Sequence, residues 1–321
     1  MVLFVTGHCR RSCFYCPISE HRRGVDNTYA NETLVSCDAD LLREARSMDA
    51  LGTGFTGGEP LLRLNRTLHY IKLLKRSLGA EHYIHLYTGL APPLRTLRQL
   101  FNAGLDEIRL HPPLELWDAF DQSLYCRALT DAKAVGLHAG VEIPAIKDVP
   151  VILKAIEHHQ AFLNLNELEF SDTNYDEMRA RGYTSQMSSY AAAGSEDIAQ
   201  DIARAAPRAY FCSSTSKDSI QLRERLKRKA NNLARDFDEV TEDGTLVYAV
   251  IERANDLRFL ESLSKERFVV IDGTVHTSWQ TAFKLIQEYP ALEPQTSIVE
   301  RYPEGIIVEM TPAGHLLKPK T

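Results

Sequence analysis

Three cysteines lie within eight residues near the start of the chain, in the run GHCRRSCFYCP. They are Cys9, Cys13 and Cys16, and they follow a short apolar stretch at residues 2–5 that predicts a first β-strand. Their spacing puts three thiolates on one tight loop, where they can bind three irons of an iron–sulfur cube. Because four-cysteine clusters leave no iron open, three cysteines with no fourth nearby leave one iron free to bind another group.

The remaining cysteines, Cys37, Cys126 and Cys212, are scattered along the chain, and single cysteines are most often small buried apolar residues. No apolar run approaches the roughly 20 residues that a membrane-spanning helix needs. Residues 1–6 are too few for the apolar core of a signal peptide. We therefore expect a cytoplasmic protein. In such a reducing compartment, clustered cysteines are more often metal ligands than disulfide partners.

Length and charge set broad limits on the class of protein. The chain has 321 residues, the size of one large α/β barrel or of one large and one small domain. Its hydrophobic fraction of 44% and charged fraction of 25% are ordinary for a globular protein, and its net charge is −6. The bulk charge therefore does not predict a protein that binds polyanions through its whole surface.

Strand-like and helix-like segments alternate along residues 1–175. Apolar runs rich in β-formers lie at residues 3–6, 54–56, 83–87, 107–111, 140–143 and 167–170. Amphipathic runs with helical spacing lie between them at residues 39–49, 67–78, 93–103, 114–135 and 149–162. A strand–helix unit repeated about six times predicts a parallel sheet with helices packed outside it. Six units are too few to close an eight-stranded barrel, so the predicted fold class is α/β, a partial (β/α)6 open barrel.

The rest of the chain breaks this alternation. Residues 176–238 predict a helical linker segment, with helices at residues 196–205 and 217–235. The second helix carries seven Lys or Arg and two acidic residues, and its apolar positions share one face. Residues 239–321 predict a small α+β domain, with strands at 246–251, 268–271 and 305–310 and helices at 255–263 and 279–288.

The unusual residues of this sequence lie at the ends of the predicted strands, where parallel α/β sheets bind their ligands. The cysteine loop follows strand one, and Gly57-Gly58-Glu59-Pro60 follows strand two. The two glycines of this second motif let the backbone approach a ligand, and the carboxylate of Glu59 could accept a hydrogen bond from an ammonium group. The candidates at or after strands three to six are Thr88, Arg109, His111, Glu142, Glu169, Ser171, Asp172 and Asn174.

Two motifs together resemble those of the radical S-adenosylmethionine (SAM) superfamily. The first is the cysteine loop with the aromatic Tyr15 before its third cysteine, and the second is Gly57-Gly58-Glu59-Pro60, some forty residues further on. The resemblance covers about residues 1–175. Within the superfamily the chain is most similar to archaeal-type proteins related to pyruvate formate-lyase activating enzymes. The later segment CSSTSKDSIQLRERLKR is also similar in style to that group.

The resemblance implies that Cys9, Cys13 and Cys16 ligate a [4Fe–4S] cluster whose open iron is chelated by SAM. Tyr15 and strand five would lie beside the adenine, and Gly57, Gly58 and Glu59 would hold the methionine ammonium. The residues implied to bind SAM are Tyr15, Gly57, Gly58, Glu59, Pro60, Thr88, Arg109, His111, Val141, Glu142 and Ile143.

The resemblance also implies the reaction. An electron from an external one-electron reductant, similar to a flavodoxin or a ferredoxin, would cleave SAM into methionine and a 5′-deoxyadenosyl radical. That radical would abstract a hydrogen atom from an unidentified substrate, and the cofactor would carry the difficult chemistry. Glu169, Ser171, Asp172 and Asn174 are the candidates to meet this substrate.

Each motif also has a structural explanation. The cysteines could form a zinc site completed by His8 or His21, although no second cysteine pair is present. The two glycines could form an ordinary turn. Arg109 and His111 could end a strand, and residues 171–174 could be a capped turn that begins a helix.

Several functions remain open at this point. A tRNA-modifying radical SAM enzyme would use the basic helix at residues 217–235 to follow phosphates. A glycyl-radical enzyme activase would act on a protein and be compact, whereas the residues after the barrel suggest dedicated substrate binding. A non-enzymatic zinc or iron–sulfur module that recognises a partner is the alternative from another class. A degenerate barrel that binds SAM without cleaving it is disfavoured, because Glu59 and all three cysteines are present.

Overall fold

Seven parallel strands form the main sheet of the protein, whose computed structural model describes residues 1–186, 189–252 and 268–317. They are β1 (Val2–Phe4), β4 (Gly52–Thr56), β5 (Tyr83–Thr88), β6 (Glu107–Leu110), β7 (His138–Pro144), β8 (Phe162–Asn166) and β9 (Ala209–Cys212). A short hairpin of β2 (Tyr29–Ala30) and β3 (Thr33–Leu34) pairs antiparallel with β1. From β1 onward the parallel strands pair in chain order, so the sheet is singly wound and open.

Helices follow these strands. They are α1 (Asp38–Ser47), α2 (Leu64–Leu78), α3 (Leu94–Ala103), α4 (Leu124–Ala134), α5 (Pro150–His158), α6 (Tyr175–Ala180) and α7 (Ser195–Ala205), with 3₁₀ turns at Pro60–Arg63 and Leu114–Gln122. The α3 helix ends at Gly104, whose φ of 104° is left-handed and whose N–H donates to the carbonyls of Leu100 and Phe101. Such a helix end favours glycine, because a Cβ is strained in that conformation.

Each central strand has an apolar outer face and a polar inner face. In β5, Ile84 and Leu86 are fully buried in the core that the helices share, whereas His85 and Tyr87 line a cavity. The outer residues of β6 to β8 in the same core are Ile108, Leu110, Val141, Ile143, Leu163 and Leu165. Residues of β1 and of β4 to β8 line one and the same cavity, so the sheet curls around it. The structure confirms the predicted α/β partial open barrel, and the sheet contains one parallel strand more than predicted.

The sixth parallel strand is Phe162–Asn166, whereas the sequence predicted it at residues 167–170. Asn164 and Asn166 interrupt its apolar pattern because both side chains donate to Glu142 on the polar inner face. The helix predicted over residues 149–162 ends at His158, and Gln160 turns the chain with a φ of 49°. In place of a strand, residues 167–170 contain one isolated β-bridge, between Glu169 and Ala191.

The described residues group into two compact units, Met1–Arg46 with Ala50–Asp218 and Ser47–Asp49 with Ser219–Thr321. The boundary predicted at residue 175 falls inside the first unit, because β9 pairs in parallel with β8. None of the described helices is long and apolar enough to cross a membrane.

The second unit contains an antiparallel sheet. Its strands are β10 (Glu239–Val240), β11 (Leu246–Ile251), β12 (Phe268–Ile271), β13 (Thr274–Thr277), β14 (Thr296–Arg301) and β15 (Ile307–Pro312), in the order β12-β13-β11-β14-β15 with β10 beside β11. Its helices are α8 (Arg223–Leu233), α9 (Trp279–Glu288) and α10 (Ala313–Leu317), and a π-helical turn at Ser216–Leu222 precedes α8. The strands predicted at 246–251 and 268–271 are confirmed, the third lies two residues later than predicted, and the helix predicted at 255–263 falls outside the described residues.

Gly140 on β7 provides a test of the packing inside the barrel. A Cβ at this position would lie 2.4 Å from ring carbons of Phe162, which is buried on β8. We expect Gly140→Ala to lower the free energy of unfolding by about 1–3 kcal/mol, measured by urea denaturation, because the ring cannot move without strain. The double variant Gly140→Ala/Phe162→Leu should recover part of the loss; equal losses in both variants would contradict the proposed clash.

Candidate functional site

A cavity of about 890 Å³ lies at the carboxyl ends of the parallel strands. Its lining includes all three cysteines of the loop, both glycines of the motif after β4, and polar residues of β5 to β8. The predicted site residues that line it are Cys9, Cys13, Tyr15, Cys16, Gly57, Gly58, Arg109, His111, Glu142 and Glu169. The topology therefore brings together motifs that are far apart in the sequence.

The three cysteines of the loop are free thiols; Cys9 is exposed, and Cys13 and Cys16 are partly exposed. Within the loop, the N–H of Cys16 donates to the carbonyl of Cys13 at 3.0 Å and forms a turn. In the part of the chain that the structure describes, no three His, Cys, Asp or Glu side chains group as a site for one metal ion. A mononuclear zinc site needs such convergence, whereas in an iron–sulfur cube each thiolate binds its own iron.

Arg11 ties the cysteine loop to the sheet. Its Nη1 donates to the carbonyl of Gly89, after β5, at 3.2 Å and to the carbonyl of His111, after β6, at 2.5 Å. Arg11 was not among the predicted site residues, because an arginine between two cysteines has no distinctive spacing. Its position shows that the loop rests on the ends of two central strands.

Tyr15 and His111 form a second link between the loop and the barrel. His111 Nδ1 lies 2.8 Å from the Glu142 carbonyl oxygen, which can only accept, so Nδ1 carries the proton. His111 Nε2 therefore accepts from the Tyr15 hydroxyl at 2.8 Å. Burial lowers the pKa of His111 to about 4, and burial together with the Cys13 side chain raises the pKa of Tyr15. Both groups are consequently uncharged at neutral pH, and their hydrogen bonds fix one tautomer.

The two glycines after β4 pack against the backbone that leads into the cysteine loop. A Cβ on Gly57 would lie 2.6 Å from the Thr6 carbonyl oxygen, and a Cβ on Gly58 would lie 2.4 Å from that of His8. The N–H groups of Gly58 and Glu59 donate to these same carbonyls at 2.7 and 2.8 Å. The glycines therefore allow two backbone segments to approach each other, in addition to any approach to a ligand.

Glu59 is buried, and it does not line the cavity. Its carboxylate accepts from Thr88 Oγ1 at 2.7 Å, from the N–H of Gly89 at 2.7 Å and from the N–H of Leu61 at 3.0 Å. Burial outweighs these hydrogen bonds and raises the pKa of the carboxyl. Thr88 and Pro60, both buried, support this arrangement, because Pro60 begins the 3₁₀ turn that Glu59 caps. The role of Glu59 as an ammonium acceptor remains a prediction.

An ion pair crosses the inner wall of the barrel. Arg109 donates to Glu107 Oε1 through Nε at 2.5 Å and to Glu142 Oε2 through Nη1 at 2.8 Å. Burial raises the pKa of Glu142, but the Arg109 charge and two asparagine amides outweigh burial and lower that pKa overall. The predicted neighbours Val141 and Ile143 are fully buried in the outer core and do not line the cavity. Of the three residues predicted in β7, Glu142 therefore lines the cavity.

The predicted substrate residues separate into different environments. Glu169 lines the cavity, and Asp172 is exposed outside it. Asn174 is 1% exposed, and its Nδ2 donates to the carbonyls of Tyr15 at 3.1 Å and Glu169 at 2.9 Å. Its Oδ1 accepts from the N–H of Ser171 at 2.8 Å. Ser171 and Asn174 therefore belong to a turn that contacts the cysteine loop.

Two cavity residues of β5, His85 and Tyr87, were not predicted. Both alternate with the buried Ile84 and Leu86, and this polar–apolar alternation within an apolar run was the available signal. Burial and the nearby Arg109 lower the pKa of His85 to about 4. His85 is therefore a neutral polar group inside the barrel.

The remaining candidates lie outside this cavity. The described side chains of the predicted basic helix include Lys227, which pairs with Glu242, and Lys229, which pairs with Glu304 at 2.7 Å. Part of the positive charge of this helix is thus already balanced within the second unit.

The three cysteines outside the loop differ in exposure. Cys126 is buried, Cys212 is half-buried and Cys37 is exposed, so the expectation of a buried residue fails for Cys37.

Comparisons with known proteins show the family of this chain. Residues 3–115 match the model of the radical SAM superfamily, and residues 244–313 match a domain of unknown function, DUF8061. The Methanocaldococcus jannaschii protein named "Putative glycyl-radical enzyme activating enzyme MJ0021" is 37% identical over 294 residues, which cover 86% of this chain and 78% of that protein. The chain belongs to the radical SAM superfamily. It is a radical SAM enzyme, and this family implies SAM and an iron–sulfur cluster as cofactors.

Two solved structures also match. Methylornithine synthase PylB has a TM-score of 0.44 at 14% identity, over 65% of this chain and 63% of that chain. The hydrogenase maturase HydG from Carboxydothermus hydrogenoformans has a TM-score of 0.40 at 13% identity, over 67% of this chain and 58% of that chain.

His85 makes the stability of the metal-free protein sensitive to acid. Its pKa of about 4 in the folded protein lies below its ordinary value of 6.5, so between these values the unfolded chain binds a proton that the native state does not. Stability should fall as the pH is lowered from 6.5 to 4, by up to about 2–3 kcal/mol from this group. Urea denaturation at pH 7, 5 and 4 should show a flatter dependence for His85→Gln. The exposed His158→Gln is the control, and identical slopes for all three proteins would refute the expectation.

Proposed function

We propose that Cys9, Cys13 and Cys16 bind a [4Fe–4S] cluster, with SAM held beside it in the cavity. The observation that supports this most is the single cavity that unites the three free cysteines with the Gly57-Gly58 turn and the inner polar wall. Its volume of about 890 Å³ lies within the range of cofactor sites. When bound, these groups supply reductive cleavage of SAM and hydrogen-atom abstraction from a substrate.

The residues of this chain would hold and orient these groups. All three cysteines line the cavity and none of them is buried, so metal binding needs no unfolding of the barrel. The adenine would lie near Tyr15, whose ring is held by its hydrogen bond to His111. Gly57 and Gly58 would present backbone to the methionine end, since no side chain shields it there.

The inner wall would orient the part of the ligand that extends into the barrel. Arg109 and Glu142 line the cavity and hold each other in place. Asn164 donates to the same Glu142 Oε2 as Arg109, and Asn166 donates to Oε1. Such a preorganised pair offers donors and acceptors for hydroxyl groups without a change in conformation. His85 and Tyr87 extend the same wall and would contact the substrate side of the ligand.

For the substrate, we propose a protein, as in the activation of a glycyl-radical enzyme. This rests on the name of the relative that is 37% identical over 294 residues. The charge of the basic helix gives less support to RNA, because Lys227 and Lys229 pair with carboxylates of the same unit. Reduction would require an external one-electron donor of the flavodoxin or ferredoxin type.

Cluster binding and SAM cleavage can be measured directly. After anaerobic reconstitution we expect about four irons and four sulfides per chain, and deoxyadenosine on addition of SAM and dithionite. Cys13→Ala should lose the cluster signal and reduce deoxyadenosine at least about a hundredfold, because one iron loses its thiolate. Cys37→Ala, an exposed cysteine outside the cavity, is the control. One zinc per chain without sulfide, or a loaded wild type that forms no deoxyadenosine, would overturn the proposal.

The substrate class can be tested with fractionated extract from the native source. Extract should raise deoxyadenosine formation several-fold if it contains the substrate. A protein substrate predicts that protease abolishes this effect, whereas ribonuclease and dialysis do not. A glycyl-type electron paramagnetic resonance signal on the protein fraction should accompany it. Loss on ribonuclease treatment would favour RNA, and loss on dialysis a small molecule.

A further inference from the structure

Asn174 occupies a position that the reaction itself does not explain. It lies after β8, it is 1% exposed, and it does not line the cavity. Yet its Nδ2 reaches 159 positions back along the chain to the Tyr15 carbonyl, at 3.1 Å. Nδ2 also donates to Glu169 O at 2.9 Å, and Oδ1 accepts from Ser171 N at 2.8 Å. One buried amide thus joins the turn that precedes α6 to the cysteine loop.

The bond to Tyr15 acts on a planar unit that contains Cys16. The carbonyl of Tyr15 and the N–H of Cys16 belong to the same peptide group, which is planar and trans. That N–H donates to the Cys13 carbonyl at 3.0 Å. The oxygen and the N–H lie in this plane on opposite sides of the C–N bond. Fixing the oxygen therefore also orients the N–H, and with it the turn between two cysteines. Hydrogen bonds in such a chain also polarise and strengthen one another.

A neighbouring contact acts on the next peptide group. Thr173 Oγ1 lies 3.4 Å from the Cys16 carbonyl oxygen, so residues 173 and 174 both reach the cysteine loop. The Ser171 hydroxyl lies 3.2 Å from the Thr173 hydroxyl and supports the turn. The turn at residues 171–174 therefore contacts the backbone carbonyls of both Tyr15 and Cys16.

We propose that Asn174 is a positioning residue that sets the turn from Cys13 to Cys16, and thereby the placement of two thiolates for the cluster. The proposal builds on the proposed function, since it assigns these thiolates to a cluster. It replaces the predicted substrate role of Asn174. Both Nδ2 hydrogens and one acceptor site of Oδ1 are already engaged, so little hydrogen-bonding capacity remains for a substrate.

Two variants separate this role from the alternatives. Asn174→Asp keeps the acceptor for Ser171 N, but it places carboxylate oxygen against the carbonyls of Tyr15 and Glu169. If Asn174 served only to begin α6, Asp would replace it without loss, because Asn and Asp are equivalent at helix starts. If it contacted only substrate, neither the metal-free protein nor its cluster would change. Asp172→Asn, at an exposed neighbour, is the matched control.

The first measurement is hydrogen exchange of residues 13–18 in the metal-free protein. We expect roughly tenfold faster exchange at Cys16 N–H in Asn174→Asp and Asn174→Ala, with no change in Asp172→Asn. Unchanged exchange in Asn174→Asp would overturn the proposal. This result does not depend on cluster binding, so it stands even if the wild type binds no cluster and the proposed function fails.

The second measurement uses the reconstituted protein. The cluster of Asn174→Asp should be lost to a chelator roughly tenfold faster than in the wild type, with an altered electron paramagnetic resonance spectrum of the reduced state. A wild-type spectrum and rate of loss, together with reduced turnover alone, would return Asn174 to a substrate role and contradict the proposal.

Discussion

The cysteine loop forms little structure by itself, and its conformation depends on hydrogen bonds from the surrounding sheet. Arg11 reaches the ends of β5 and β6, Tyr15 reaches His111, and Asn174 reaches back from the start of α6. A loop that carries three thiols must leave them accessible, so it cannot be stabilised by burying them. Fixing its backbone from outside resolves this conflict, because the sulfur atoms stay free while the chain between them is held.

The polar interior of the barrel is stable because its charges and dipoles are matched. Arg109 lies between Glu107 and Glu142, and asparagine amides complete the hydrogen bonding of Glu142. Burial keeps His85 and His111 neutral. An unpaired charge at this depth would be costly, whereas neutral donors and acceptors can exchange one partner for another at small cost. This wall can therefore accept a ligand without rearrangement of its ion pair.

Much of the fold followed from the sequence, because helices that cover a parallel sheet leave a strong apolar periodicity. The strands near residues 54, 84, 108 and 141 were predicted within a few residues, as were the helices α2 and α3. The run predicted as one helix at 114–135 is instead a 3₁₀ turn followed by α4, because the Ser123 side chain caps a new helix start. Phe162–Asn166 was missed because asparagines occupy two of its inward positions, and β9 because a four-residue strand after a long polar segment resembles a loop. The hairpin β2–β3 has two residues per strand, too few for any pattern. The cysteines and Gly57-Gly58 were recognisable by spacing, whereas Arg11 and Asn174 act through single contacts at long range, which leave no local signature.

The backbone contact between Gly57-Gly58 and residues 6–8 has a consequence for transplantation of this site. The carbonyl groups of Thr6 and His8 occupy the space that a methyl group on Gly57 or Gly58 would need. The two motifs therefore fit against each other because the two glycines have no side chain. A chimera that received only the cysteine segment would place it against a foreign turn, and a single methyl group there would push Cys9 away from its partners. The two segments must therefore be grafted together, although about forty residues separate them in the sequence.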